Sequence, residues 1–354
     1  MFKNNVHVVI MAGGVGSRFW PMSTTDTPKQ FIDILGCGRT FIQMTYDRFK
    51  DLCSPENVWV VTSAAYAQIV ERQLPEVPRG NILLEPCRRN TAPCIAYVSW
   101  RIKSKCPDAN IVVAPSDHII LNTQHFQQVV ASALSFTEES DSIVTLGMKP
   151  NRPETGYGYI QADLSYSSPR NKNIFRVDQF KEKPDLETAK RYIQNENFFW
   201  NSGLFIWSVR TIVNALRVYQ PALSKVFEDL LPYYGTEREQ ELINKVYPDC
   251  ENISVDYAIL EKADEIFVYP ADFGWSDVGT WGALHKLSHL DKANNALIGP
   301  DIDVYETRNC IIHTIGEKKV VVQGLDGYII AEHEDTLLVC KLSEEQRIKF
   351  FSGN

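Results

Sequence analysis

The chain has 354 residues, of which 44% are hydrophobic, with 36 Lys and Arg against 44 Asp and Glu for a formal charge of -8. That length accommodates one large domain with a smaller one appended, and the acidic balance excludes the broad basic face by which a protein holds nucleic acid or an acidic membrane surface. No apolar run is long enough to span a bilayer and the first residues lack the cleavable apolar core of a signal peptide, so the expectation is a cytoplasmic protein with neither nucleic-acid nor membrane partners, which handles anionic ligands locally.

In chain order, the first predicted strand (Val8, Val9, Ile10, Met11) runs into Ala12, Gly13, Gly14, Val15, Gly16, Ser17 and Arg18, and Pro28, Lys29, Gln30 and Phe31 follow. Lacking Cβ atoms, the glycines let backbone N–H groups approach a polyphosphate, with Arg18 and Lys29 supplying charge. A dinucleotide fingerprint fails because Phe19 stands where its third glycine belongs, and no Gly-Lys-Ser/Thr of a Walker loop is present. Alone, a glycine-rich turn after a strand is equally an ordinary tight turn. Thr40 to Gln43 reads as a capping box, with Ile42, Tyr46, Phe49 and Cys53 on one helical face. Val58 to Val61, Ile82 to Leu84, Ile111 to Ala114 and Ile143 to Leu146 are short continuous apolar runs, as in strands covered on both faces. Alternating with helical stretches, they predict a doubly wound α/β fold, in which ligands bind outside the carboxyl ends of the strands. The glycine loop, Glu85-Pro86 and Ser116-Asp117 all fall there, predicting one shared site.

Residues 155 to 275 mix strands and helices, with no Ser/Gly-rich linker before them, and predict a second half of the same domain. After Gly279 a helix precedes short strand-like runs (Cys310 to His313, Val320 to Val322, Tyr328 to Ala331, Leu337 to Cys340), separated by turn signals such as Asp326-Gly327. The expected division is a catalytic domain over residues 1–285 and a small β domain over residues 286–354. The eight cysteines contain no Cys-x-x-Cys, so neither zinc spacing nor a disulfide framework is expected.

Further motifs are Arg89-Asn90-Thr91-Ala92-Pro93, Thr155-Gly156-Tyr157-Gly158-Tyr159-Ile160, Phe180-Lys181-Glu182-Lys183-Pro184, Trp200-Asn201-Ser202-Gly203 and Trp275-Ser276-Asp277-Val278-Gly279. Together with the glycine loop, over residues 8 to 281 and more weakly beyond, the chain resembles the sugar-1-phosphate nucleotidyltransferases, and among them the bacterial guanylyltransferases of mannose 1-phosphate. The resemblance implies a Rossmann-like catalytic domain with a short β-helical tail, the tail being a candidate for homodimer contact or equally a mere packing appendage. It implies transfer of GMP from GTP to α-D-mannose 1-phosphate with Mg2+ as cofactor. Longer members of that family carry a further cupin-like isomerase domain, and this sequence ends before one, so isomerase activity is not expected.

The resemblance assigns Asp117 and Asp277 to the metal, whose octahedral oxygen shell takes one or two carboxylates plus phosphates and water. Taken singly, Asp117 is equally a helix cap and Asp277 a turn residue. Ala12, Gly13, Gly14, Gly16, Ser17, Arg18, Glu85, Asn90, Thr91 and Ser116 are expected at the nucleotide, with Arg89 shaping the base pocket. Gly158, Glu182, Lys183, Asn201 and Asp256 are expected at the sugar phosphate, and Arg18, Lys29 and Lys183 are the expected catalytic charges. Asp256 at the start of a helix also reads as a cap, Asn201 as a turn residue, and Lys183 as an exposed strand-end lysine. Glu85 stands where uridylyl and thymidylyl relatives tend to have glutamine. A carboxylate accepts from both guanine N1–H and N2–H2, so Glu85 is expected to select guanine; the alternative is a solvent-facing strand end. Ser17 for threonine, Phe19 for leucine and Cys94 for alanine depart from the family text without removing a charge. A binding subunit without catalysis would be expected to lack Arg18, Lys29, Asp117 or Asp277, and all four are present.

Overall fold

Runs that are apolar at consecutive positions can satisfy only a sheet covered on both faces, and they become the parallel part of a nine-stranded sheet in the computed structural model, which describes residues 5–14 and 17–351. The strands are β1 (Val6–Ala12), β2 (Val58–Ser63), β3 (Ile82–Glu85), β4 (Asn110–Pro115), β5 (Ile143–Met148), β6 (Tyr159–Ser168), β7 (Asn171–Lys181), β8 (Phe198–Ser208) and β9 (Ile266–Ala271). Their spatial order is β3-β2-β1-β4-β8-β5-β9-β7-β6. The pairs β1 with β2, β1 with β4 and β2 with β3 are parallel, whereas β8 runs antiparallel to both β4 and β5. The order reverses at β1, with β2 on one side and β4 on the other, which opens a crevice beyond the carboxyl ends of those strands.

The packing groups the chain into two units, one of residues 5–13, 45–115 and 120–275 and one of residues 14, 17–44, 116–119 and 276–351. The expected boundary between residues 285 and 286 is therefore not where the contacts divide. In the first unit the sheet carries the core, in which Trp59, Trp100 and Trp207 are fully buried. Burial of side chains of that size stabilises by about 3 kcal/mol each.

The second unit is built around a parallel coil of short strands. β10 (Ala296–Ile298), β12 (Ile311–Thr314) and β14 (Tyr328–His333) stack in register on one face, and β11 (Ile302–Tyr305) with β13 (Val320–Gln323) on another. β15 (Thr336–Lys341) closes the first face antiparallel to β14. Side chains alternate along these strands. Ile312 and Ile330 point into the coil with Val322, while Ile311, Ile329 and Ala331 join Phe19, Met22, Ile34, Phe41, Val278 and Trp281 in a second core. His313, kept neutral at a pKa of about 4 by burial, is hydrogen-bonded through Nε2 to the Ile34 carbonyl at 3.0 Å. Residues 17–44 thus pack with the C-terminal coil because Phe19, Met22, Ile34 and Phe41 have their apolar partners there. Among the described residues no helix is long and apolar enough to cross a membrane, and no cysteine is in a disulfide.

Candidate active site

In the first unit, β3 ends on Glu85, which is 8% exposed and so is not the solvent-facing carboxylate of the alternative reading. The Tyr247 hydroxyl donates to Glu85 Oε1, and a Cβ on Gly13 would stand 3.1 Å from Glu85 Oε2. Glycine at the exit of β1 therefore lets backbone pass beside the carboxylate. Burial pushes the Glu85 carboxyl up to about 7, against the lowering effect of the Tyr247 hydrogen bond. Ala12 precedes this turn, its carbonyl accepting from Thr62 Oγ1 at 2.9 Å.

The other residues expected at the base are engaged by protein. Asn90, at φ 65°, accepts the Thr91 N–H at 2.9 Å and caps the helix Thr91–Lys105. Thr91 Oγ1 accepts the Val255 N–H at 2.8 Å, and the Arg89 guanidinium donates to the Pro248 carbonyl, with Nε at 2.9 Å. These groups shape the end of β3 by fixing the segment around residues 247–255. Tyr247 was not legible as a site residue, since no local pattern joins it to a glutamate 162 positions earlier.

The sugar-side residues converge within the same unit. A Cβ on Gly158 would lie 2.6 Å from Glu182 Oε2 and 3.3 Å from Asn201 Cβ, so a side chain there would push the Glu182 carboxylate out of its place and crowd Asn201. Lys183 pairs with Glu182 Oε1 at 2.8 Å, leaving its side chain 62% exposed. Asn201 Oδ1 accepts from Thr145 Oγ1 at 3.0 Å and from the Gly203 N–H at 3.1 Å, which commits its amide NH2 outward, to Asp256 Oδ1 at 3.1 Å. Burial, and then Glu182, push the Asp256 carboxyl up to about 6. Asp256 opens the short π-helical turn Asp256–Leu260 without capping it. Asn201 lies within β8, so its turn reading does not apply.

In the second unit Lys29 is 3% exposed, and its Nζ donates to the Asp117 carbonyl at 2.9 Å, to Asp117 Oδ2 at 3.2 Å and to the Asp277 carbonyl at 2.6 Å. The ammonium sits over the Phe41 ring at 4.9 Å and near Phe19 at 5.7 Å. An ammonium has three protons, and all three are directed at protein oxygens. The expectation of a charge offered to phosphate meets a lysine that instead ties two aspartate loops together. Burial alone would raise the Asp117 carboxyl, but Lys29 and then His118 outweigh it and hold it below the ordinary carboxylate range. Asp117 is not a helix cap, for the next helix, Thr123–Glu138, is capped by Asn122.

Asp277 does make a turn, its Oδ1 accepting the Gly279 N–H at 3.1 Å. Between them Val278 is fully buried at φ 43°, a conformation that costs a β-branched residue about 1–3 kcal/mol and is held here by the packed core. A Cβ on Gly279 would stand 2.9 Å from Asp277 Oδ2 and 3.1 Å from Arg18 Nη1, so the exposed Arg18 guanidinium lies across this turn. Ser116 is buried beside Asp117, and the Gly14 carbonyl accepts from Gln30 Nε2 at 2.8 Å. Gly16 and the Ser17 side chain lie outside the described residues.

Among the described residues no three acidic, histidine or cysteine side chains form a metal cage. Two carboxylates on loops joined by one ammonium are the hard-oxygen donors that Mg2+ takes when phosphates and water complete its shell, so Asp117 and Asp277 fit such an ion.

A doubly wound sheet with a buried carboxylate beside the glycine at the exit of its first strand is the architecture of a nucleotide-handling protein. The nucleotidyl transferase family model matches residues 7–294, and the chain belongs to that family, whose members commonly use a divalent metal. It is 34% identical to the mannose-1-phosphate guanylyltransferase of Escherichia coli strain K12 over 98% of this chain and 74% of that protein. It is 35% identical to mannose-1-phosphate guanylyltransferase 2 of Escherichia coli O157:H7 over 96% of this chain and 71% of that protein. The crystal structure of mannose-1-phosphate geranyltransferase from Thermus thermophilus superposes with a TM-score of 0.86 at 28% identity, covering 99% of this chain and 98% of that one.

Proposed function

We infer that the chain transfers GMP from GTP to α-D-mannose 1-phosphate, giving GDP-mannose and pyrophosphate. The observation that carries the reading is Glu85: a buried carboxylate beside the glycine turn, fixed at one oxygen by Tyr247, with acceptor capacity left for the adjacent N1–H and N2–H2 of guanine. The convergence of Gly158, Glu182, Asn201 and Asp256, rich in acceptors with one outward NH2, supports a polyhydroxylated substrate.

In this reaction a phosphate oxygen of the sugar phosphate attacks the α-phosphorus in line. A P–O bond forms there as the bond to the β-phosphate oxygen breaks, its electron pair leaving with pyrophosphate. The nucleophile has a second pKa of about 6 and needs no general base at neutral pH. The task is positioning and charge neutralisation. Lys183, the cation of the sugar-side cluster, meets the sugar phosphate with its largely exposed ammonium; Arg18 meets the polyphosphate. Asp117 and Asp277 would hold Mg2+, which when bound neutralises charge on the phosphate oxygens. Lys29 positions the two aspartate loops.

The test is pyrophosphate release with Mg2+, crossing GTP, UTP, ATP and dTTP with mannose, glucose and N-acetylglucosamine 1-phosphates. Turnover confined to GTP with mannose 1-phosphate is expected; a different preferred pair would overturn the assignment, and silence in folded, nucleotide-binding protein would favour a binding subunit. Lys183→Ala is expected to raise KM for mannose 1-phosphate by about tenfold while leaving that for GTP unchanged. An effect confined to GTP would place this lysine on the nucleotide.

A further inference from the structure

We propose that Tyr247 is a specificity-determining positioning residue, whose hydroxyl holds Glu85 as an aimed, ionised acceptor so that it accepts guanine and turns away a pyrimidine. The inference rests on the reading of Glu85 as the guanine-selecting group. Its basis is geometric. Tyr247 is fully buried, its ring edge-on to Phe227 at 6.0 Å, and its hydroxyl reaches Glu85 Oε1. The backbone that carries it is pinned to β3 and the segment after it at several points. Arg89 Nε donates to the Pro248 carbonyl at 2.9 Å, Gln240 Nε2 to the Leu84 carbonyl at 3.1 Å, the Val255 N–H to Thr91 Oγ1 at 2.8 Å and the Ala92 N–H to the Ile253 carbonyl at 3.1 Å. A phenol fixed this firmly can orient a carboxylate that packing alone would leave free to rotate.

The hydroxyl also decides which form of Glu85 is present. The titratable groups facing the carboxyl are Tyr247 and, on the helix Thr91–Lys105, Cys94, with Cys250 behind the phenol; Gly13 at the end of β1 brings no charge. Burial raises both thiols, Cys250 to about 11, and raises the phenol well above its ordinary value, so all three are neutral near pH 7. No cation among these groups favours the carboxylate, and the Tyr247 O–H is the favourable contact that opposes desolvation. A protonated Glu85 presents one O–H donor and one acceptor, as glutamine would, and that pattern suits a pyrimidine edge.

The experiment is kcat/KM for GTP and for UTP from pH 5.5 to 9 at saturating mannose 1-phosphate, in the unaltered enzyme, Tyr247→Phe, Glu85→Gln and the double variant. Because burial pushes the Glu85 carboxyl up to about 7, the unaltered enzyme is expected to lose GTP efficiency about tenfold per pH unit below that point. Tyr247→Phe is expected to move this acid limb upward by about one pH unit and to lower the GTP to UTP ratio at pH 7. Glu85→Gln should remove the limb near 7, leaving only the fall below about pH 6 that the sugar phosphate itself sets, lower the ratio at least about tenfold, and make the Tyr247 substitution silent in the double variant. An unmoved limb in Tyr247→Phe, with Glu85→Gln behaving as stated, would make Tyr247 a packing residue only. An unchanged GTP preference in Glu85→Gln would instead overturn the reading of Glu85 itself. Should Tyr247→Phe fail to fold, 3-fluorotyrosine at position 247, a stronger donor of nearly equal size, is expected to move the limb downward, and an unmoved limb there would equally refute the proposal.

Discussion

Asp277→Asn is expected to lower kcat/KM for Mg2+-dependent pyrophosphate release by about 10³-fold while shifting Tm by less than about 2 °C. Asparagine keeps the backbone geometry of the turn. The Asp277 Oδ1 accepts the Gly279 N–H, and an asparagine oxygen keeps that bond. Its carbonyl, the acceptor for Lys29, is backbone and unaltered. What disappears is one negative charge beside Oδ2, on the face of the turn crossed by Arg18. A factor of 10³ corresponds to about 4 kcal/mol of transition-state stabilisation, within what a metal carboxylate supplies through the charge it holds in place. The checks are the Mg2+ dependence of the rate and a thermal melt on the same preparation. Asp117→Asn is the comparison, since it also removes the ion pair with Lys29 and should cost more in Tm. If Asp277→Asn unfolded the protein with its Mg2+ dependence unchanged, the aspartate would be a turn residue and nothing more.

How much of this was legible in the sequence depends on the range of the interaction involved. The strands from Val8, Val58, Ile82, Ile111 and Ile143 were readable because continuous apolar runs are a local signal, and Thr40 does engage Gln43 Oε1, at 3.1 Å, as its spacing suggests. The antiparallel direction of β8 inside an otherwise parallel region was not, because strand direction is set by connections rather than by composition. The grouping of residues 17–44 with the C-terminal coil depends on which apolar faces meet, and Phe19 or Ile34 has no local mark of its partner. Motif text singled out Glu85, Glu182, Asn201 and Asp256 as candidates. It did not reveal that Glu85 is buried, that Thr145 and Gly203 commit the Asn201 amide outward, or that Tyr247 bonds Glu85. Each of those is a contact made across the fold, and a motif records that a residue is present without recording which atoms around it are already satisfied.

Lys29→Met is expected to lower Tm by at least about 5 °C, to reduce kcat by about 10²-fold and to raise the half-saturating Mg2+ concentration about tenfold, with a smaller change in KM for GTP. A lysine in a polyphosphate site would give the opposite pattern, a large effect on GTP with the melt intact, so the two roles separate in one set of measurements. The distances favour the first. The Lys29 Nζ contacts span 88 and 248 residues of sequence separation and engage both loops that carry the aspartates proposed to hold Mg2+. Methionine fills the space over Phe41 and Phe19 but leaves the Asp117 and Asp277 carbonyls without this donor and the Asp117 carboxylate without its counter-charge, a loss of about 3 kcal/mol for a pair open to solvent on one side only. Arginine is not expected to rescue, since a planar fork cannot direct three protons at oxygens gathered around one nitrogen. The aspartates would then still be present in sequence but no longer held together by a shared ammonium, and it is their joint placement, more than either charge alone, that a single octahedral ion requires.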